Sequence, residues 1–419
     1  MTSELIKKLD YDATFDCVQC GFCLPSCPTY LTMKEEKHSP RGRINLVKYA
    51  VEGKAELKDL EEAIDLCLGC RQCETVCPTN VQYGDIYESA VSVLRKNRNK
   101  KIDSKIMSLF LERNYMLTLM YKGLKLYHTP FMYKAIRNTK MLDILPERLG
   151  NMAKILPAVK KEKNRVNKPF RTKKTTIGFF RGCMMDAFFS NINDLAIKIL
   201  EAHDIQVVEI SQQTCCGALQ QHAGEIDKAK TLAKMNIEAL ENYDVDYYVN
   251  AIGGCGASLI EYDHLLRHDD KWNVRAEQFV TKVKDISVIF DQLDLKLTNE
   301  INKKATYQPS CHLQNVQQVF KEPENVIRQI KGLEYKILPE KDICCGSAGI
   351  YNIVNYEASM DILNRKMTHV KKVQPQLIIT SNPGCHLQML LGVKNENLEQ
   401  TIEVKHIVEV VAEACGIKV

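Results

Sequence analysis

A chain of 419 residues, 45% hydrophobic and 26% charged, is long enough for two or three domains with ordinary cores and too apolar for disorder. Its 17 cysteines would suggest a disulfide scaffold in a small secreted protein, but the opening MTSELIKKLDYDATFDC carries charges where a secretory signal needs an apolar core, and no apolar run approaches the ~20 residues of a membrane span. Composition therefore predicts a cytoplasmic protein whose cysteines are metal ligands, and the net charge of +5 hides a basic stretch with 22 Lys and Arg against 5 Asp and Glu between Arg95 and Lys174.

Residues 1–94 read as mostly helical around two cysteine-bearing loops. Cys17, Cys20, Cys23 and Cys27, followed by Pro28, are echoed by Cys67, Cys70, Cys73 and Cys77, followed by Pro78. Each run is C-x2-C-x2-C-x3-C-P, the spacing with which a folded-back loop gives three thiolates to one iron–sulfur cube and sends the fourth to its neighbour. Two [4Fe-4S] clusters are expected, one on Cys17, Cys20, Cys23 and Cys77, the other on Cys67, Cys70, Cys73 and Cys27. Gly21 and Gly69 mark places where a Cβ would crowd a loop wrapped around a cube. Paired zinc ribbons are the alternative, but zinc takes four ligands and leaves the third cysteine of each run unexplained. Between the runs, Ser39 can cap a helix with Pro40 in its first turn, running through Ile44, Val47 and Val51, and Leu57, Leu60, Ile64 and Cys67 continue a helical period. Such filler predicts an α-helical ferredoxin domain rather than a minimal hairpin ferredoxin.

Residues 95–174 form a basic connector with an amphipathic stripe at Ile106, Phe110, Leu117, Tyr121 and Leu124, suited to packing on the protein itself or to resting on anionic lipid. Lys160 to Lys174 reads as an exposed linker. No nucleic-acid-binding motif accompanies the charge, so nucleic acid is not an expected partner.

From residue 175 the pattern becomes α/β, with strands expected at 175–180, 206–210 and 246–250, and again at 335–338 and 377–380. Two units, 175–300 and 301–419, follow from a second duplication. Cys183, Cys215, Cys216 and Cys255 recur as Cys311, Cys344, Cys345 and Cys385, offset by 128, 129, 129 and 130 residues. If the strands are parallel, ligands bind outside their carboxyl ends, so the four thiols of each copy should share one crevice at the starts of the following helices. Cys415, alone on a helical pattern, reads as packing.

Two such cysteine runs followed by two CCG (cysteine-rich) domains resemble, over nearly the whole chain, the iron–sulfur electron-transfer subunits of flavin-linked dehydrogenases. The segments CCGSAGIYN at 344–352, SNPGCHLQ at 381–388 and SPRGRI at 39–44 are most similar to the glycolate oxidase iron–sulfur subunit family. Subunits of anaerobic glycerol-3-phosphate dehydrogenase and heterodisulfide reductase share the plan. The resemblance implies a multidomain protein, an α-helical ferredoxin domain followed by a duplicated α/β CCG domain, that accepts electrons from FAD-binding flavoprotein subunits oxidising glycolate to glyoxylate. It also implies a quinone or membrane-surface acceptor, in the cytoplasm or on the inner face of the cell membrane. In heterodisulfide reductases each CCG domain ends in C-x2-C, but Ser258 and Gln388 stand there in this chain, so a further cluster on the CCG cysteines is left open. No G-x-G-x-x-G or P-loop is present, and substrate oxidation is assigned to the partner. His312 and His386, beside Cys311 and Cys385 in the second copy only, could pass a proton to a bound acceptor or merely hydrogen-bond around the thiols.

Overall fold

A computed structural model describes residues 4, 6–97, 150, 175–210 and 212–418. The basic stripe from Ile106 to Leu124 and the Lys160–Lys174 segment lie outside the described residues.

The first unit is helical, as the spacing predicts. Ser39 caps the helix Pro40–Val51, its Oγ accepting the Gly42 amide at 3.0 Å, while Pro40 needs no amide partner at that position. Ile44 and Val47 face inward with Leu57, Leu60 and Ile64 of the helix Leu57–Asp65. That helix stops at Asp65, so Cys67 lies in the loop beyond it rather than on its apolar stripe. The helix Tyr83–Asn97 closes the core with Tyr83, Ile86, Ala90 and Val93.

Two four-stranded parallel sheets follow, built alike. The first, in the order β2-β1-β3-β4, uses β1 Thr175–Phe179, β2 Ile205–Glu209, β3 Tyr247–Asn250 and β4 Val283–Asp285. The second, in the order β6-β5-β7-β8, uses β5 Lys304–Gln308, β6 Glu334–Tyr335, β7 Leu377–Thr380 and β8 Glu403–His406. In each parallel sheet the order of strand addition reverses between its first and third strands, and the cysteines follow the strands on either side of that switch point. The strand expected at 335–338 is shorter and earlier, at Glu334–Tyr335, because the chain turns inward so that Leu338 is buried. Strands β4, β5 and β8 were not legible in the sequence. Lys284, Lys304, Glu403 and Lys405 interrupt the β-branched and apolar runs that mark a strand.

The two copies share one core. Ile289 and Phe290 of the helix Ile286–Gln292 pack in the same cluster as Val326 and Ile327 of Lys321–Gln329 and Val408, Val410 and Val411 of Ile407–Ala414. Beyond that core the loops after β3 and β7 bond to each other, Gly253 N to Ser381 O at 3.2 Å and Gly254 N to Asn382 Oδ1 at 3.1 Å. The cysteine-bearing ends of the two sheets are thereby held side by side.

The helical unit docks on both copies. Against the first, Arg71, which also pairs with Glu74 of its own unit, pairs with Glu261, Arg95 pairs with Glu225, and Gln221 Nε2 donates to Glu88 Oε1 at 2.8 Å. Against the second, Tyr351 OH donates to Leu66 O at 3.2 Å and Asn355 Nδ2 to Asp65 O at 2.8 Å. Burial, with Glu261 and Asp85 nearby, pushes the Glu88 carboxyl up to about 7.

Phe290 is fully buried at the joint between copies, and Phe290→Ala is expected to cost about 3–5 kcal/mol. Calorimetry should show both sheets melting together at a lower temperature; an unchanged transition for either sheet would contradict a shared core. Because the folded-state Glu88 pKa lies above its unfolded value, the stability it contributes is complete at acid pH and is lost as pH rises through about 7. Glu88→Gln should therefore flatten the pH dependence between about 4.3 and 7 and gain about 1–2 kcal/mol at pH 8, measured by urea denaturation at several pH values.

Candidate metal centres

The two cysteine runs form loops of the same shape from differently placed glycines. In the first run Gln19 and Gly21 take left-handed backbone at φ 59° and 85°; in the second the matching positions are Gly69 and Arg71 at φ 60° and 58°. A Cβ on Gly21 would meet Arg41 Nη1 at 2.8 Å and one on Gly69 would meet Tyr87 at 3.3 Å. Backbone conformation and these neighbouring side chains are thus reasons for glycine at both positions beside the room that a cube would need.

Eight thiols line two adjoining cavities. One, of about 400 Å³ and open to solvent, is lined by Cys17, Cys20, Cys23 and Cys77 with Val18, Phe22 and Ile44. The other, of about 300 Å³, is lined by Cys27, Cys67 and Cys70 with Thr29, Arg43 and Arg71. Cys73, Pro40 and Tyr83 line both and form the wall between them. The fourth cysteine of each run thus lies with the first three of the other. The cavities differ in exposure: Cys20 is exposed and Phe22 is 65% exposed, whereas Cys27 and Cys70 are buried.

The Cys-Pro-Thr ending of each run is used twice. Thr29 Oγ1 lies 3.3 Å from Cys27 Sγ and donates to His38 O at 2.7 Å; Thr79 Oγ1 lies 3.5 Å from Cys77 Sγ and donates to Asp16 O at 2.8 Å. Tyr83 OH lies 3.4 Å from Cys67 Sγ. The repeated Cys-Pro-Thr is the only mark that both threonines leave in the sequence.

Arg43 supplies the test of whether an anionic cluster fits. Its side chain is buried, with Nε donating to Ala63 O at 2.7 Å, Nη2 to Thr29 Oγ1 at 3.0 Å and Nη1 directed at Cys27 Sγ at 3.9 Å. Among the described residues no carboxylate pairs with it. An unpaired buried charge costs several kcal/mol, so this guanidinium needs an anion in the cavity beside Cys27 and Cys67. Burial pushes the Cys23 thiol up to about 11 and those of Cys70 and Cys73 well up, so these sulfurs are thiols unless a metal takes the proton's place. Four sulfur donors and a fixed cation suit an iron–sulfur cube.

The CCG cysteines also converge. In the first copy Cys183 Sγ and Cys215 Sγ are 3.5 Å apart and Cys216 Sγ and Cys255 Sγ 3.3 Å; Cys183 and Cys255 sit at the starts of the helices Cys183–Ala202 and Gly253–Ile260. Cys311 and Cys385 begin Cys311–Asn315 and Pro383–Asn395 in the second copy, facing Cys344 and Cys345. Ser258 Oγ donates to Cys216 O at 3.1 Å, while Gln388 bonds Ser359 at 2.9 Å and Asn352 at 3.1 Å, so the side chains at the missing-ligand positions brace the loops. His386 is buried edge-on against Phe189, and His312 rests against His222; burial pushes His312 down to about 3 and His386 to about 4, keeping both neutral.

Only the structure reveals which copy meets the ferredoxin unit's inner cavity. Cys70 packs in one apolar cluster with Cys344, Tyr351 and Ile362, Cys311 lies at its edge, and Asn315 Nδ2 donates to Cys70 O at 2.8 Å.

Eight thiols in two adjoining cavities, backed by a duplicated cysteine-rich α/β pair, define an iron–sulfur electron-transfer protein. Family models agree: a "4Fe-4S dicluster domain" matches residues 13–81 and a "Cysteine-rich domain" matches 177–260 and 305–390. The chain is 42% identical over 99% of its length to the "Probable glycolate oxidase iron-sulfur subunit" of Bacillus subtilis, covering 97% of that protein. It is 27% identical to the "Glycolate oxidase iron-sulfur subunit" of Escherichia coli, over 95% of this chain and 93% of that one. "Lactate utilization protein A" of Shouchella clausii is 32% identical over 56% of this chain and 97% of its own length. The chain belongs to the family of glycolate oxidase iron–sulfur subunits, electron-transfer components of an oxidoreductase complex.

The SPRGRI segment at 39–44 has a steric core. A Cβ on Gly42 would lie 1.9 Å from Glu36 O, so Gly42→Ala must shift the helix start that carries Arg43. It is expected to cost about 1–3 kcal/mol and to lower the iron retained per chain, read by thermal melting and iron analysis; a variant with full iron and unchanged melting would contradict this.

Proposed function

We propose that Cys17, Cys20, Cys23 and Cys77 hold one [4Fe-4S] cluster and Cys67, Cys70, Cys73 and Cys27 the other, and that this chain relays electrons from FAD-binding partners oxidising glycolate to glyoxylate. The observation that carries the reading is the pair of four-thiol cavities sharing a wall, the inner one against Cys344. Each cluster supplies one-electron acceptance where the flavin delivers two electrons. The chain's residues fix the thiolates: Thr29 and Thr79 tie the loops after Cys27 and Cys77 to the His38 and Asp16 carbonyls, and the Tyr83 hydroxyl lies beside Cys67 Sγ. Substrate oxidation belongs to the partner.

The units are taken as 1–94, 95–174, 175–300 and 301–419. Cys183, Cys215, Cys216, Cys255, Cys311, Cys344, Cys345 and Cys385 are candidate ligands for a further cluster on the way to a quinone or membrane-surface acceptor. Among the described residues no helix is long and apolar enough to cross a membrane. The site of action is the cytoplasm or the inner face of the cell membrane, where a basic stretch at 95–174 would favour anionic lipid. Lactate is the second reading, supported by the match to lactate utilization protein A.

Purified without oxygen, the chain is expected to be brown, to hold at least roughly eight iron and eight labile sulfide, and to oxidise no glycolate alone. Paramagnetic resonance of the reduced protein should show two interacting centres, one lost or altered in Cys70→Ser. A colourless, zinc-bearing chain free of sulfide would overturn the proposal. Reduction of the assembled complex by lactate but not glycolate would select the second reading.

A further inference from the structure

The two cavities differ in their charge as much as in their exposure. Beside the outer one, Arg41 lies with Nε 2.6 Å from Glu36 Oε1 and Nη2 3.3 Å from Glu36 Oε2, so its charge is already matched and partly in water. Beside the inner one, the Arg43 guanidinium has a carbonyl, a hydroxyl and a sulfur as partners, and among the described residues no carboxylate. Both cavities thus border ion pairs, Arg41 with Glu36 at the outer one and Arg71 with Glu74 and Glu261 at the inner one, but only the inner one also has a buried guanidinium, that of Arg43, with no carboxylate partner among the described residues.

A cluster gains one negative charge when it is reduced. Burial opposes that gain, because the extra charge is stabilised less in low dielectric than in water, and the inner cavity with its buried Cys27 and Cys70 is the one so penalised. A fixed cation favours the reduced form and offsets the penalty. Cys27 and Cys67 are the thiols nearest this charge in electrostatic effect, and both line the inner cavity.

We infer that Arg43 holds up the reduction potential of the inner cluster, so that a site with buried Cys27 and Cys70, facing Cys344, still accepts an electron from its outer neighbour. Its place between Thr29, after the first cysteine run, and Ala63, before the second, fixes the charge at the point where the two runs cross. The inference rests on the two-cluster reading above. It concerns potentials and not the presence of clusters, so the two can fail separately.

The test is a redox titration of the anaerobically purified full chain followed by paramagnetic resonance, with iron and sulfide measured on every sample. Arg43→Gln is expected to make one cluster at least tenfold harder to reduce, about 59 mV for a one-electron couple, with the other moving much less. Arg43→Lys, which keeps the charge without the fork, should restore most of the shift. If Arg43→Gln loses iron, Thr29→Val takes its place: it removes one of the acceptors that hold the guanidinium beside Cys27, and should lower the same cluster's potential by a smaller amount as the charge moves away. Unchanged potentials in an iron-replete variant would overturn the inference. So would equal loss of iron from the Gln and Lys variants, which would make the guanidinium a purely structural tie. A wild-type chain without iron would instead sink the two-cluster reading itself.

Discussion

A guanidinium with almost no access to water joins the two cysteine runs. Arg43 reaches back to Thr29, just after the first run, and forward to Ala63, just before the second, with Cys27 Sγ beside it. A buried cation of this kind is stable only with an anion to answer it, and the sulfur-lined cavity provides the place. The capping of the helix by Ser39, the close passage of Gly42 under Glu36 and the inward face of Ile44 and Val47 all set where that charge sits.

The larger architecture serves the same geometry. Two parallel sheets of identical order bring eight further cysteines to the carboxyl ends of their strands, and a shared core around Phe290 locks those ends side by side. The helical unit then lies across both copies unequally. It meets the first through ion pairs at Arg71 and Arg95 and a hydrogen bond from Gln221 to Glu88, and the second through hydrogen bonds to backbone carbonyls and an apolar seam containing Cys70 and Cys344. Polar contacts orient the unit and the apolar seam excludes water, which places the buried face of the inner cavity against the second copy.

The two copies have diverged at their cysteine sites. In the first, Asn236 and Tyr262 hold the carbonyls of Cys215 and Cys216. In the second, Lys366 is buried with Nζ 2.5 Å from Glu340 O, and burial lowers it to about 8 despite nearby Cys345 and Cys344. Nearly equal spacing in sequence thus conceals unequal surroundings.

The sequence alone determined the parts that depend on local spacing. The C-x2-C-x2-C-x3-C-P runs, the register of the repeated CCG cysteines, the Ser39 cap and the strands at Thr175, Gln206, Tyr247 and Leu377 are all readable from neighbours a few residues apart. Tertiary structure decided what depends on contacts between distant segments: that Arg43 is buried without a carboxylate partner among the described residues, that the second copy and not the first faces Cys70, that Ser258 and Gln388 brace loops, and that β4, β5 and β8 exist. Each of those short strands is stabilised by its ladder to a partner strand tens of residues away, and burial of a charge is a property of what folds over it. Neither leaves a periodic mark on the chain.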